Sequence, residues 1–449
     1  MDSSFKIEGD INLTEERTEW QTQNLNSHTI AILNEDADYF IHQSLSTPCL
    51  NTIEKADGIY IYDGEGRRYM DFHGNGVHQI GYNNQDVING IKEQLDTLAF
   101  IPRRYTNEIA IKAAKKLVEL TDHKLTRVLF SPSGSQSIGI ALKIMRKATG
   151  KYKTISLWDS FHGAGIDAIS VGGEKIFRNN IGPLMSGTEH IMPYNSYRCI
   201  FGECQNCELK CLDYLEYILD REGDVGGIIL EPIRATDVQI PSVAYFKKLE
   251  KICKKHHVLI IFDEIPTAFG RTGEFFTYQN FGVIPDILVI GKGIGGGIIP
   301  ISAVLAKEEL NVANDVALGH FTHEKSALGC RAILETINYI ENNDLIFHVK
   351  NMEAILLVEL DKLKNKYKLI GDYRIKGLLF AIELVTNQES KEKAVEASEK
   401  MLYLCLNKGL SFKISQGNVL TFGPPLIITE KELFDSLRII DESLDELNF

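Results

Sequence analysis

The chain has 449 residues with 48 lysines and arginines against 61 aspartates and glutamates, which gives a formal net charge of −13 at pH 7. This acidic balance argues against nucleic acid or an anionic membrane as the main partner, and the length favours two domains. No apolar run reaches the roughly 18–20 residues of a membrane-spanning helix. The polar N-terminus lacks the apolar segment of a secretory signal, so we expect a cytoplasmic protein.

The first 45 residues are polar and are predicted to be partly helical, with Trp20 and Phe40 as anchors onto the rest of the protein. Residues 58–72 alternate around a glycine-marked turn, which predicts a β-hairpin.

In the middle of the chain, short apolar runs alternate with amphipathic stretches such as 138–147 and 245–256. This alternation predicts a mostly parallel sheet with helices on both faces. The predicted strands are 127–131, 153–157, 227–231, 258–263 and 287–290.

Beyond residue 322 the pattern changes, and the tail is predicted to form a smaller α+β domain together with the N-terminal segment. The predicted tail elements are helices at 326–342 and 345–366, a strand pair near 374–384, and a final helix from about Glu430. The predicted domain boundaries are 1–70 for an N-terminal segment that joins the small domain, 71–325 for the large domain, and 326–449 for the C-terminal small domain.

Two of the predicted strands end at residues of opposite charge. One delivers Asp263, followed by Glu264, and the other is followed by Lys292 and a glycine-rich turn. This placement suits pyridoxal phosphate, because a lysine holds the cofactor aldehyde as a Schiff base and a carboxylate keeps the pyridine nitrogen protonated. The pair therefore predicts a cofactor site of this kind.

Four of the eight cysteines lie within thirteen residues, at Cys199, Cys204, Cys207 and Cys211. Four thiolates in one short loop can hold a tetrahedral zinc ion. A loop of reduced thiols that pack locally or face solvent explains the spacing equally well, so both interpretations stay open.

An ordered set of short motifs runs from about residue 40 to 445. The motifs are Asp71-Phe72, Ser133-Gly134-Ser135, Phe161-His162-Gly163, Glu231-Pro232, Asp263-Glu264, Gly270-Arg271-Thr272-Gly273, Pro285-Asp286, Lys292-Gly293, Arg374-x2-Gly377-Leu378 and Pro424-Pro425-Leu426. By this set the chain resembles the class III aminotransferases among the fold-type-I pyridoxal phosphate enzymes. The resemblance implies an α/β fold, with a large domain on a mostly parallel seven-stranded sheet and a smaller α+β domain from both termini.

The resemblance also implies roles for the matched residues. Lys292 would form the Schiff base and then move the proton from the amine-bearing carbon, and Asp263 would pair with the pyridinium nitrogen. Thr322 would reach the cofactor phosphate of a partner subunit, which implies a homodimer or a dimer of dimers. Ser135 and Thr322 could equally be simple helix caps. The other cofactor-binding residues implied are Gly134, Ser135, Phe161, His162 and Glu231.

Two departures from the family pattern bear on the cofactor and the substrate. Pro266 replaces a glutamine that hydrogen-bonds the cofactor ring oxygen, and proline cannot make that contact. Thr421 replaces an arginine that pairs with the substrate carboxylate, and threonine cannot form a bidentate ion pair. We therefore expect that the site does not bind the carboxylate of an ordinary amino-acid substrate.

Positive charge appears instead at Arg103 and Arg104, followed by Tyr105, in a segment that the resemblance places at the substrate entrance. Adjacent arginines suit a doubly charged phosphonate or phosphate. Alternatively, one arginine faces solvent and the other pairs with an acid. His73 is a further candidate for the substrate site.

Within the family, the chain looks most like the subgroup of ammonia-lyases that act on (R)-1-hydroxy-2-aminoethylphosphonate. This resemblance implies a lyase that converts a hydroxy-aminoethylphosphonate-like amine into an aldehyde and ammonia. The alternative is a transaminase that moves an amino group from an amine such as 2-aminoethylphosphonate, or from an ω-amino acid, to a 2-oxo acid.

Overall fold

The structure is a computed structural model that describes residues 14–202 and 208–447. The α-helices are α1 Glu15–Asn24, α2 Ser27–Tyr39, α3 Gln85–Thr97, α4 Glu108–Leu120, α5 Gly134–Thr149, α6 Ile166–Val171, α7 Lys175–Arg178, α8 Lys210–Leu219, α9 Val243–His256, α10 Ala327–Asn342, α11 Leu345–Lys366, α12 Val395–Asn407 and α13 Glu430–Glu446. The strands are β1 Ile53–Asp57, β2 Tyr60–Asp63, β3 Arg68–Asp71, β4 Arg127–Ser131, β5 Lys153–Leu157, β6 Thr188–Ile191, β7 Val225–Leu230, β8 Leu259–Asp263, β9 Ile287–Ile290, β10 Ser302–Ala306, β11 Ile370–Lys376, β12 Leu379–Asn387, β13 Glu392–Lys393, β14 Leu410–Ser411, β15 Lys413–Ser415 and β16 Val419–Phe422.

The chain divides into two compact units. The large unit comprises Gln85–Ala235 and Gln239–Ile346. The small unit comprises the described residues up to Asn84, Thr236–Val238, and those from Phe347 onward. Compared with the predicted boundaries, residues 71–84 fall in the small unit and α10 falls in the large unit, where α10 packs against α3 and α4.

The large unit is built on a seven-stranded sheet in the order β4-β10-β9-β8-β7-β5-β6. The central strands pair in parallel, and β10 runs antiparallel to both of its neighbours. Every residue of β7 and of β9 is buried, as expected for strands covered on both faces. The predicted mostly parallel seven-stranded sheet is therefore confirmed.

Helix α5 covers one face of this sheet and is amphipathic in the way that packing on a sheet requires. Its side chains Ile138, Ala141 and Met145 are fully buried and lie in one apolar cluster with Ile261 and Val289 from β8 and β9. Burying apolar side chains of this size contributes about 1.5–3 kcal/mol each. The cluster therefore fixes α5 directly against the strands whose ends carry the charged residues.

The small unit contains two sheets, in the orders β1-β2-β3-β14 and β11-β12-β16-β15, with β13 pairing to β12. The predicted hairpin is confirmed as β2 and β3, in which Tyr62 lies opposite Arg68. Trp20 is 4% exposed and donates a hydrogen bond from Nε1 to Asn407 Oδ1 at 2.8 Å, so it is an anchor as predicted. The prediction for Phe40 is wrong for the single chain: α2 ends at the preceding residue, and Phe40 is 64% exposed.

In the part of the chain that the structure describes, no helix combines the length and the apolar character that crossing a bilayer requires.

Candidate active site

Asp263 and Lys292 follow two neighbouring parallel strands of the large unit. Asp263 is the last residue of β8 and lies opposite Val289 of β9. Lys292 begins a 3-10 helix just after β9 and adopts a left-handed backbone conformation, with φ of 51°. Because parallel strands end at the same edge of a sheet, this register places the acid and the amine at one edge, and Lys292 is exposed there.

Asp263 is 1% exposed, and both of its carboxylate oxygens accept hydrogen bonds. The backbone N–H of Ile265 donates to Oδ1 at 3.0 Å, and His162 Nδ1 donates to Oδ2 at 2.8 Å. The two donors hold the carboxylate in one orientation. His162 itself is 1% exposed, and its Nε2 is buried without a hydrogen-bond partner among the described residues.

The N-terminus of α5 carries the predicted phosphate-binding residues. Ser133 caps the helix by accepting a hydrogen bond from the Gln136 N–H. An added Cβ at Gly134 would lie 2.7 Å from Ile265 Cδ1, so a side chain there would displace the end of Ile265. The free backbone N–H groups and the dipole of the first turn suit an anion.

The loop that carries Phe161 and His162 is joined to this helix end. Ala164 N–H donates to Ser135 Oγ at 3.0 Å, and the cap of α5 is Ser133 rather than Ser135. Gly163 has φ of 121°, and an added Cβ would fall 2.3 Å from Ser135 Oγ. Phe161 is half-buried and packs against Phe177, with ring centroids 4.4 Å apart.

Three buried hydroxyl groups that were not predicted lie near the start of α5, on Ser131 at the end of β4, Ser137 in α5 and Ser302 at the start of β10. Ser131, Ser137 and Ser302 form a closed ring with Oγ–Oγ distances of 2.7 to 2.8 Å. Ser131 also donates to the carbonyl of Ser133 at 2.9 Å. The ring connects β4, α5 and β10. No local sequence pattern predicts this ring, because Ser302 is far from the other two serines in the sequence.

Glu231 directly follows β7, next to Asp263 in the sheet, because Leu230 pairs with Phe262. It is 6% exposed. Burial, together with the negative charge of Asp263, raises the pKa of the Glu231 carboxyl to about 7. Glu264 is also buried, and desolvation raises its pKa to about 8, but its oxygens accept hydrogen bonds from the backbone of Thr277 and Tyr278 at 2.5 and 2.7 Å.

The predicted substrate residues Arg103, Arg104 and Tyr105 lie in a loop of the large unit. Arg103 contacts His320, through Nη1 to the carbonyl at 3.1 Å and through Nη2 to Nε2 at 2.5 Å. This contact brings the loop to the segment that carries Thr322, which is exposed. Arg104 and Tyr105 are exposed.

His73 and Thr421 belong to the small unit. The backbone N–H of His73 donates to Asp71 Oδ1 at 2.9 Å, which fixes the turn after β3. Thr421 Oγ1 donates to the carbonyl of Thr236 at 2.9 Å. The hydroxyl that replaces the family arginine is therefore engaged with the backbone.

Cys204 and Cys207 of the proposed zinc loop lie outside the described residues. Cys199 is half-buried and Cys211 is buried. Within residues 14–202 and 208–447, no three histidine, cysteine or acidic residues cluster as a metal site would require. The zinc prediction therefore stays untested.

The chemistry of the large-unit residues fits pyridoxal phosphate. The site offers a buried carboxylate with two donors, an exposed amine on the adjacent strand end, and a helix N-terminus. These are the groups that a pyridine nitrogen, an aldehyde and a phosphate need. Phe161 adds an aromatic ring on the loop that contacts both Asp263 and Ser135.

Comparisons with known proteins agree with this geometry. The sequence profile described as Aminotransferase class-III matches residues 41–444. The chain is 48% identical to (R)-1-hydroxy-2-aminoethylphosphonate ammonia-lyase from Vibrio splendidus (strain 12B01), over 98% of this chain and 95% of the relative. It is 34% identical to the leucine/methionine racemase of Thermococcus litoralis, over 88% of each chain.

Among solved structures, taurine:2-oxoglutarate aminotransferase from Bifidobacterium kashiwanohense, in complex with PLP and glutamate, superposes with a TM-score of 0.87 at 29% identity, over 94% of this chain and 98% of the other. The profile match and the relatives cover most of the chain. The chain therefore belongs to the class III aminotransferase family.

Proposed function

We propose that this protein is a pyridoxal-phosphate-dependent ammonia-lyase that converts (R)-1-hydroxy-2-aminoethylphosphonate into phosphonoacetaldehyde and ammonia. The observation that carries the proposal is the 48% identity, over nearly the whole of both chains, to a relative that bears this name. The presence of Asp263 and Lys292 at adjacent strand ends supports a working enzyme, because a binding protein would not need both.

Pyridoxal phosphate, when bound, would supply an electron sink for the carbon next to the amino group. Lys292 would hold the cofactor aldehyde and, once displaced by the substrate amine, would remove the proton from that carbon. Asp263 would hold a proton on the pyridine nitrogen, in the orientation that His162 and Ile265 impose on its carboxylate.

The remaining cofactor contacts would come from the loop and helix end described above. Backbone N–H groups at Gly134 and Ser135 would bind the phosphate, and Phe161 would pack on the ring. Thr322 would reach the phosphate in the partner subunit of a homodimer or of a dimer of dimers. The exposure of Thr322 in the single chain is consistent with such an arrangement.

The substrate would be recognised by its phosphonate. We assign this recognition to the segment with Arg103, Arg104 and Tyr105, since guanidinium groups bind doubly charged phosphonates through paired hydrogen bonds. His73 is a further substrate candidate. The loss of arginine at Thr421 supports a substrate that has no carboxylate.

Two finer assignments are also proposals. The first is a cytoplasmic location. A structural zinc at Cys199, Cys204, Cys207 and Cys211 rests on their spacing, and the metal content of freshly purified, reduced protein tests it. About one zinc per chain supports the site, and a content near zero removes it.

The test of function is ammonia release from (R)-1-hydroxy-2-aminoethylphosphonate with no 2-oxo acid present. Many turnovers per site would establish a lyase, because a transaminase stops after one turnover without an acceptor. Release that begins only when pyruvate or 2-oxoglutarate is added would assign the protein to the transaminases instead.

A further inference from the structure

Glu231 is a buried carboxyl with one oxygen left for a ligand. Its Oε2 accepts a hydrogen bond from the Ala235 N–H at 3.0 Å. Its Oε1 is buried and has no hydrogen-bond partner among the described residues. A buried oxygen without a hydrogen-bond partner destabilises the fold, so a fold that keeps one is expected to use it.

The other two buried carboxyls at this edge of the sheet are already engaged. Asp263 accepts from His162 and from the Ile265 backbone. Glu264 accepts from two backbone N–H groups through both of its oxygens. Of these three acids, Glu231 is the one with a carboxyl oxygen that makes no hydrogen bond among the described residues.

The surroundings of Glu231 favour its protonated form. Asp263 on β8 places a negative charge beside it, while His162 on the neighbouring loop and Arg234 in the following turn act in the opposite direction. Burial is the largest effect, and the resulting pKa of about 7 leaves a proton on a large fraction of the molecules near neutral pH. A carboxyl that keeps its proton near neutral pH can serve as a general acid.

Elimination of water needs such an acid. After Lys292 removes the proton from C2 of the substrate, the electron pair at C2 forms the C1–C2 double bond while the C1–O bond breaks. Hydroxide is a poor leaving group, so a proton must reach the departing oxygen. The oxygen then leaves as water, and the released enamine takes up water to give the aldehyde and ammonia.

We propose that Glu231 is the general acid that donates this proton from its unpartnered Oε1 to the leaving hydroxyl. The carboxylate that results is reprotonated from solvent before the next turnover. This role rests on the proposed lyase function. Glu231 would direct the substrate to C–O cleavage instead of reprotonation at carbon.

The experiment compares the parent holoenzyme with Glu231→Gln on two leaving groups. Glutamine keeps the size of the side chain and an oxygen for the Ala235 N–H but cannot donate an acidic proton. On the hydroxy substrate, we expect ammonia release to fall by about 10²-fold or more. On the analogue with fluorine in place of the hydroxyl, elimination needs no proton donor, so the two proteins should match. Glu231→Asp should restore part of the activity on the hydroxy substrate.

Two further measurements separate this role from a structural one. Exchange of the C2 protons of 2-aminoethylphosphonate with deuterated solvent reports the action of Lys292 alone and should persist in Glu231→Gln. In the infrared difference between the substrate-free parent holoenzyme and the variant, a carbonyl band of a protonated carboxylic acid should be present at low pH and should disappear as the pH rises through about 7. The band of Glu264, which both proteins share, cancels in this difference.

The outcomes are distinct. Equal losses on both leaving groups, or a variant as active as the parent on the hydroxy substrate, would overturn the role of Glu231. A parent enzyme that releases no ammonia from the hydroxy substrate would overturn the proposed function itself.

Discussion

The contact between His162 and Asp263 gives the histidine a function that the sequence did not reveal. His162 lies 101 residues from Asp263 in the chain, and both side chains are buried. A carboxylate that accepts two hydrogen bonds is held in one orientation. We therefore interpret His162 as the residue that positions Asp263 for the cofactor nitrogen.

This interpretation predicts the effect of two substitutions at His162. His162→Ala removes the donor to Asp263 Oδ2, and hydrogen bonds to charged groups are worth about 1.5–3 kcal/mol, so cofactor affinity should fall by about 10-fold or more. His162→Asn keeps an N–H near the position of Nδ1 and should lose less. The measurement is the dissociation constant of pyridoxal phosphate for the cofactor-free protein. Equal affinities in the parent and both variants would contradict the positioning role.

Lys292 is the residue on which the proposed chemistry depends most. In Lys292→Ala, the base that moves the C2 proton is gone, so turnover should drop by about 10³-fold or more. The absorption band of the lysine-bound cofactor should also be lost. Both are measured on protein incubated with pyridoxal phosphate, and turnover at the parent rate would rule out the assigned role.

At the scale of elements, Gly163 shows how the site loop is joined to α5. Gly163→Ala places a Cβ in a backbone conformation that L-residues rarely adopt and against Ser135. We expect a loss of about 3 kcal/mol in the free energy of unfolding, with weaker phosphate binding. Gly150→Ala at the C-cap of the same helix is the matched control, since its φ is 67° but no atom lies within 4 Å of the added Cβ.

Denaturant unfolding of both variants measures the difference. Gly150→Ala should lose only about 1–2 kcal/mol, the cost of the left-handed conformation alone. If the two glycines respond alike, close packing against Ser135 is not what requires Gly163.

Hydrophobic pattern predicted most of the elements and few of the contacts. Strand β9 has the predicted bounds, and α11 likewise matches the predicted 345–366. Strand β6, with its Thr-Glu-His-Ile sequence, was missed because only Ile191 is buried. Strand β10 was missed although all five of its residues are buried, since a short run of small side chains after a glycine-rich turn has little periodicity.

Some residues of the site could likewise be predicted from the sequence, and others could not. Asp263 and Lys292 could be predicted because each follows an apolar strand within its own segment. The serine ring and the Arg103 contact with His320 could not, since each joins segments that only the fold brings together. That Glu231 Oε1 lacks a hydrogen-bond partner likewise depends on its three-dimensional surroundings and could not be predicted from the sequence.

For the molecule as a whole, the chain keeps the family residues Asp263 and Lys292 but departs from the family pattern at Pro266 and at Thr421. The resemblance implies that the residue at the Thr421 position would otherwise bind a substrate carboxylate. Thr421 donates its hydroxyl to the backbone of Thr236 and has no charge to offer. The segment with Arg103 supplies positive charge in the large unit. A phosphonate substrate accounts for both the change at Thr421 and the charge at Arg103, whereas an amino-acid substrate accounts for neither.

The charge state of Glu231 should be visible in the stability of the whole protein. Its pKa is raised from 4.5 to about 7, mainly by burial, so the folded state holds a proton that the unfolded state has released. Stability from this group is fully present below about pH 4.5 and is lost as the pH rises through about 7. The loss corresponds to roughly 3 kcal/mol.

In Glu231→Gln this titration is absent. Between about pH 5 and about pH 8, the free energy of unfolding of the parent should therefore fall by roughly 2–3 kcal/mol more than that of the variant. Urea unfolding at a series of pH values measures both curves, and groups shared by the two proteins cancel in the difference. Parallel curves would mean that Glu231 is ionised in the folded protein across this range. The carboxyl would then have no proton to give at neutral pH, and its unpartnered oxygen would serve as an acceptor for the substrate.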